Sequence, residues 1–311
     1  MGLGHVYRTI TLARELPEPV FFITTSGPGV VNKIETSGFA VQGASDDDEV
    51  LQILGQRPPG IVILDRLEID PSFAVKIRGM GHRLVIFGNL SPANEQAQLV
   101  VNIIGSDFRN SRREDPKTGN RFFQRPRYYI FKRSFFQRRA EKLSSEKGRM
   151  FIMFGGTDPL DLTTLAYQHL SSMRGVNRLD LVVGAGYEHY QELLEEVRNA
   201  SGGPIVELHR DLEDVASLMT KASLVITSPG MSMFEALFLR RKVLAIAQTP
   251  FHDDLFARDF LLYHPEDISR LEEFIESAKL IDPADELIRR MEIGEGRDEV
   301  VNAIVDLGVR T

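Results

Sequence analysis

Short apolar runs alternate with helix-forming stretches twice along this chain, and that rhythm leaves few folds open. In the N-terminal half, residues 20–24, 61–64, 84–87 and 100–104 read as strands, while 29–36 and 71–78 read as helices. The run Ile61-Val62-Ile63-Leu64 is continuously apolar, as in a strand buried on both faces. A second series has strands at 150–154, 179–183, 205–208, 224–227 and 243–247, with helices at 161–173, 187–199, 211–220 and 232–239 between them. Strands alternating with helices through short connections predict doubly wound parallel sheets. The 311 residues exceed one ordinary core and fit two domains. The predicted fold class is therefore α/β, with two doubly wound, Rossmann-like domains facing across a cleft. The expected divisions are 1–128, a linker at 129–148, and 149–311. Ligands of such sheets sit outside the carboxyl ends of the strands. The sequence has no repeat with a solenoid period.

Composition removes several functions. The net charge of −7 gives no general attraction to a nucleic-acid polyanion. A diphosphate can still be held locally by backbone N–H groups. With no cysteine, the chain has neither a thiolate nucleophile nor a zinc–thiolate site. No apolar run is long enough for a membrane-spanning helix, and the N-terminus does not read as a signal peptide, so a cytoplasmic location is expected. Residues 106–147 are rich in arginine and aromatics and lack periodicity; they read as a loop followed by the interdomain connection. Their arginines (Arg109, Arg112, Arg113, Arg121, Arg125 and Arg127) form either a solvated face or, for one or two of them, contacts to a substrate phosphate.

Three glycine-containing segments carry the chemistry. The first is GLGHVYRTITLA at residues 2–13, where a loop becomes a helix. Gly4 permits close backbone approach to a sugar or phosphate, and Arg8 follows one turn after His5. A helix N-terminus disfavours an imidazolium, so His5 is positioned as a neutral base or is simply a helix-cap histidine. A loop of this type normally follows a buried strand, and a strand is expected ahead of it; either the start of the chain is truncated or another segment fills that place. The second segment, MFIMFGGTDPLDLT at residues 150–163, runs a strand into Gly155-Gly156-Thr157-Asp158 and then a helix. This loop is expected to lie beside a sugar or diphosphate, with Asp158 serving as a ligand contact or as a helix cap. The third, LVITSPGMSMFEAL, turns at Ser228-Pro229-Gly230 and opens a helix at Met231, Ser232 and Met233. Their amides lack intrahelical partners and make an anion site. Glu235, placed in the first turn, either complements the helix dipole or accepts hydrogen bonds from ribose hydroxyls. Asp65 closes a strand and is read as a cap or a substrate contact. Adjacent positions in His252-Asp253-Asp254 splay around a helix, so no metal site is expected there.

Taken in order, GLGHVYR, FGGTDP, SPGMSMFEAL and GEGRDEVV resemble the UDP-sugar hydrolases of pseudaminic acid synthesis and the spore-coat polysaccharide biosynthesis proteins, within the glycosyltransferase superfamily of GT-B fold. The resemblance implies a UDP-sugar substrate, water as acceptor and His5 as base. It also implies diphosphate binding by the backbone of Ser228, Pro229, Gly230, Met231, Ser232 and Met233 and ribose binding by Glu235; the reading of the loops and strand ends adds Gly4, Arg8, Asp65, Gly155, Gly156, Thr157 and Asp158 as candidate substrate contacts. The N-terminal domain would take the sugar and acceptor, and the C-terminal domain the nucleotide. Neither a metal nor another cofactor is implied. The chain departs from the pattern at residues 248–252, where the family commonly has an Asn-Gln pair, and at Arg66-Leu67 after Asp65. A glycosyltransferase acting on a lipid or saccharide acceptor, and a non-catalytic nucleotide-sugar binding protein, are the alternatives. A lipid acceptor would call for an apolar patch rimmed by basic residues, a composition found at residues 128–136, which read more plainly as the hinge packing against both lobes.

Overall fold

The computed structural model describes residues 4–103, 112–141 and 143–309. The chain divides into two compact units: one runs to Phe131 and resumes at Met291, and the other is Lys132–Arg290. The C-terminal segment thus belongs with the first unit, which corrects its expected place in the second domain. Residues 132–148 are likewise not a free linker, because they carry a helix and the start of a strand in the second unit.

The first unit opens with helix α1 (Gly4–Ala13) and proceeds through β1 (Phe21–Thr24), α2 (Pro28–Thr36), β2 (Ala40–Gly43), α3 (Asp47–Gly55), β3 (Ile61–Asp65), α4 (Pro71–Gly79), β4 (Arg83–Phe87), β5 (Leu99–Asn102), β6 (Arg112–Glu114) and β7 (Arg121–Gln124). Local chemistry fixes several of these ends. Asp46 caps α3 by accepting from Glu49 N, and three acidic residues in the first turn complement its dipole. Asp70 caps α4, with Pro71 at its first position.

The strands do not form one sheet. Among the described residues β1 pairs with β2 alone, in parallel, while the other five make a sheet in the order β3-β4-β5-β7-β6. That sheet is parallel except for β6 against β7. The arginine-rich stretch expected as loop therefore supplies two strands. Phe122 and Phe123 pair with Val100 and Val101, and burial of Phe123 outweighs the low strand propensity of the charged residues around it. Arg112 and Arg113 cover the rings of Phe123 and Phe122. Arg109 lies outside the described residues, as do Gly2, Leu3 and Ile104.

The C-terminal helix (Arg297–Val309) packs Val300, Ala303, Ile304 and Leu307 against Leu12, Val85, Leu99, Phe123 and Tyr128. Arg127 clamps this segment through Glu292 and Glu299, each at 2.6 Å. Gly296 passes so close to Tyr128 that a Cβ would stand 2.6 Å from its ring. Gly296→Ala is expected to destabilise the first unit by about 1–3 kcal/mol through overpacking, read as a lower midpoint in urea. An unchanged midpoint would show that the ring yields freely.

In the second unit β8 (Glu146–Met153), β9 (Arg178–Val183), β10 (Ile205–Arg210), β11 (Ala222–Thr227), β12 (Lys242–Ile246) and β13 (Leu262–Tyr263) form one sheet, ordered β10-β9-β8-β11-β12-β13 and parallel throughout. Its helices are α5 (Arg133–Ala140), α6 (Leu162–Leu170), α7 (Tyr190–Asn199), α8 (Val215–Met219), α9 (Met231–Phe238) and α10 (Pro250–Phe256), followed by short helices at Leu271–Glu276 and Glu286–Arg290. The chain winds from β8 outward to β10, then returns beside β8 and winds the other way. The sheet's topological switch point therefore lies between β8 and β11.

Candidate functional sites

In the first unit, α1 begins level with the carboxyl ends of β3 and β4. His5 Nδ1 lies 2.5 Å from Asp65 Oδ1, and Arg8 Nε donates to Asp65 Oδ2 at 2.7 Å. Arg8 Nη2 also bonds Asp65 Oδ1, and the guanidinium packs against Gly88, just past β4. Arg8 and Asp65 are buried, while the His5 side chain keeps 25% of its surface exposed. Burial works against the Asp65 carboxylate, but the Arg8 charge and hydrogen bonds from His5 and Arg8 outweigh it and hold the pKa below the usual carboxylate range. Asp65 is thus an ionised acceptor, and His5 Nδ1 carries the proton shared with it. The 3.1 Å approach of Arg8 Nη2 to that nitrogen is then a contact between two donors serving one oxygen. This tautomer leaves the Nε2 lone pair as the basic position. Asp65 and Arg8, expected as substrate contacts, instead form the buried pair that orients His5. Gly4 opens the helix that carries all of this.

In the second unit, the two glycine loops leave the sheet at β8 and β11, the strands that flank the switch point. Gly155 has φ +90. Gly156 abuts Gly184 so closely that a Cβ on Gly184 would stand 2.3 Å from Gly156 O. Thr157 is exposed. Asp158 is 2% exposed, and its two oxygens accept from Leu162 N at 3.0 Å and Thr163 N at 2.8 Å. Its side chain therefore satisfies the first two amides of α6, which is the cap role of the two that the sequence left open.

Beyond β11, Thr227 Oγ1 donates to Met153 O at 2.6 Å and ties the two strand ends together. Gln248 Nε2 bonds both Phe154 O and Ser228 Oγ, so one side chain holds both loop bases. In the sequence Gln248 stands out only as part of a departure from the family pattern, because its role depends on strands distant in sequence. His252 Nδ1 accepts from Gln248 N at 3.0 Å, and burial lowers its pKa. Gly230 caps α9 at φ 133, ψ −142, a region reached essentially by glycine alone. Met231, Ser232 and Met233 are the first three residues of α9, and no acidic residue lies in that first turn. The first-turn amides of a helix have no intrahelical partner, and its N-terminus carries the positive end of the dipole. Gly230→Ala is expected to strain the loop by about 1–3 kcal/mol, read as a lower urea midpoint for the second unit; an unchanged midpoint would show that the turn adapts.

Glu235 sits one position past the first turn, which corrects its expected placement. Burial pushes its carboxyl up to about 7, with the Lys132 ammonium opposing. Lys132, at the start of α5, was also missed in the sequence. The segment at residues 128–136 is no exposed apolar patch: Tyr128, Tyr129, Ile130, Phe131 and Phe135 are all buried, and Phe136 packs edge-on against Phe238 of α9. Among the described residues, Asp180, Glu207 and His209 lie close enough to share a metal ion. Arg149 and Arg178 already neutralise these carboxylates, so the cluster reads as an ion-pair network on β9 and β10.

Comparison with solved structures places this architecture. The structure matches Acinetobacter baumannii MurG with a TM-score of 0.61 at 13% identity, over 99% of this chain and 96% of that one. The chain has the GT-B fold. CalG4, the calicheamicin glycosyltransferase, matches with a TM-score of 0.58 at 13% identity, covering 98% of this chain and 96% of its own. Anabaena HepE in complex with UDP matches with a TM-score of 0.57 at 13% identity, over 97% and 96%. Among sequence relatives, an uncharacterized protein of Methanocaldococcus jannaschii is 32% identical across 99% of this chain. The chain spans 64% of that relative's length. The spore coat polysaccharide biosynthesis protein SpsG of Bacillus subtilis is a distant homologue, 21% identical over 83% of this chain and 77% of its own length. No family model matches the chain. Among the described residues, no helix is long and apolar enough to cross a membrane.

Proposed function

We propose that this GT-B protein is a glycosyltransferase that takes its sugar from a UDP-sugar and works in polysaccharide biosynthesis. The observation that carries the reading is the start of α9 at the sheet's switch point, a first turn whose amides have no intrahelical partner and that holds no carboxylate. UDP bound in HepE and the spore coat polysaccharide role of SpsG support the choice of nucleotide and pathway class. In this mechanism the second unit holds UDP, with Ser228 to Met233 on the diphosphate and Glu235 on the ribose. His5 of the first unit acts as base. Its Nε2 takes the proton of an acceptor hydroxyl, that oxygen bonds the anomeric carbon, and the bond from carbon to diphosphate breaks. The α9 amides stabilise charge growing on the departing UDP. Asp65 stabilises the imidazolium formed.

Hydrolysis of the same donor is the second reading, favoured by the ordered motifs GLGHVYR, FGGTDP and SPGMSMFEAL; water then replaces the acceptor hydroxyl. The test is a panel of UDP- and CMP-sugars, with and without saccharide and lipid acceptors, scoring free nucleotide and sugar product. UDP release that requires an acceptor supports transfer. Equal release without one, giving free sugar, supports hydrolysis. UDP binding with no turnover on any donor would overturn both.

A further inference from the structure

The arginines around β6 and β7 stood, on sequence, between a solvated face and a phosphate contact, and the fold occupies most of them. Arg112 and Arg113 cover phenylalanine rings. Arg121 donates to Ala303 O at 2.7 Å and lies 4.0 Å from Asp306. Arg127 holds Glu292 and Glu299. Arg125 differs. Among the described residues its guanidinium has no ion pair or hydrogen bond, and its Nε is buried. A buried donor left unmet is costly, and in a native structure such a group marks stored strain or a place taken by water, an ion or a ligand.

The backbone of Arg125 is as unusual as its side chain. Its φ of 100 and ψ of 161 lie in a region open essentially to glycine alone. The other non-glycine residues of positive φ in the described chain stand between 40 and 60, in or near the milder left-handed helical region. Two bonds hold the strain in place. Arg125 N donates to Asn102 O at 3.0 Å, extending the β5–β7 ladder, and Tyr128 N donates to Arg125 O at 3.1 Å, closing the turn that follows. Glycine would relax here without disturbing either bond. The chain instead carries an arginine, strained in its backbone and serving no polar contact within the described fold. Strain of this kind collects at ligand sites.

Strand register gives the place. Asp65, Phe87, Val101 and Phe123 form one row across the parallel strands β3, β4, β5 and β7. Arg125 leaves β7 two residues past that row, at the same carboxyl edge where His5 meets Asp65. Three strand spacings, about 14 Å, separate the end of β7 from the end of β3, a span that one substrate of a few sugar rings can cover. From the strained backbone, the unmet buried donor and this position we infer that Arg125 is an oxyanion site. Its guanidinium binds a phosphate or carboxylate carried by the molecule that His5 meets at the other end of the edge. On the transfer reading that molecule is the acceptor. Only this last assignment rests on the proposed function; the binding of an oxyanion at Arg125 does not.

The test takes the full chain with its arginines labelled by nitrogen-15 and titrates it with inorganic phosphate and, separately, with acetate, each against sodium chloride of matched ionic strength. The Arg125 Nε–H signal is assigned by its absence from Arg125→Gln, and those of Arg112 and Arg113 likewise from their own glutamine variants. The expected result is a saturable shift of the Arg125 signal with phosphate, acetate or both, while the Arg112 and Arg113 signals follow ionic strength; the tighter arm tells whether the natural group is a phosphate or a carboxylate. At saturating anion, hydrogen exchange across residues 121–128 is expected to slow by about tenfold in the native chain and to stay unchanged in Arg125→Gln and Arg125→Gly. The glycine variant suits this backbone, so it decides the matter if the glutamine variant fails to fold. An Arg125 signal that tracks ionic strength alone, or protection that survives in both variants, would overturn the site. No turnover is measured, so a failure of the proposed transfer leaves this result readable.

Discussion

Replacing His5 by alanine is expected to lower turnover of a UDP-sugar by a factor of about 10²–10⁴, the usual worth of a positioned general base, while leaving the dissociation constant for UDP unchanged. The separation follows from the fold, because the imidazole sits in the first unit and the proposed phosphate amides in the second. Its partner behaves differently. Asp65→Ala removes the tautomer restraint and also strands the buried Arg8 guanidinium, so it should destabilise the first unit by about 3–5 kcal/mol. The folded-state pKa of Asp65 is depressed. Its contribution to stability is therefore present above the ordinary carboxylate range and is lost as pH falls through the folded value. Stability curves carried from pH 7 to below the ordinary carboxylate range should show a steeper acid loss in the native chain than in Asp65→Ala. Turnover retained in His5→Ala, together with a collapsed UDP affinity, would mean that His5 binds and does not act as base.

Glu235→Gln is expected to stabilise the second unit and weaken UDP binding at the same time. The carboxyl is raised from 4.5 to about 7 by burial. Between those values the folded chain binds more protons than the unfolded one, so stability falls as pH rises through this window. Above it, holding the ionised group costs about 3 kcal/mol, from about 1.4 kcal/mol per pKa unit. Glutamine removes that cost, so the variant should gain stability at pH 8 and change little at pH 5. Its affinity for UDP should drop by about 1–3 kcal/mol, the range for a hydrogen bond to a charged group. The native chain should bind UDP more tightly as pH passes about 7, whereas the variant should be flat. Equal effects on stability at both pH values would sink the buried-carboxylate argument, and unchanged affinity would remove Glu235 from the ribose. A group that weakens the fold where it would serve a ligand is the expected sign of a binding residue.

Much of the second unit was legible from the residues. β11, the Ser228–Gly230 turn and α9 are contiguous, and their signals are local: an apolar run, a proline–glycine turn, then helix formers. The first unit was harder to read. β2 and β6 are short and largely exposed, and β7 lies inside an arginine-rich stretch, so none shows a clear period. The role of Asp158 was open because a cap and a ligand contact use the same residue type; two backbone bonds in a buried site decided it.

The sequence by itself determined the alternation, hence the α/β class, and it marked the loops at strand ends where chemistry gathers. Those features depend on neighbours a few residues apart, which the chain order records. Only the tertiary structure decided that Asp65 and Arg8 serve His5, that Gln248 holds two loops, that the last helix returns to the first unit, and that β1 pairs with β2 apart from the five-stranded sheet. Each of these is a contact between residues far apart in sequence. Such contacts arise from the order in which strands take their places in a sheet, and no local pattern encodes that order.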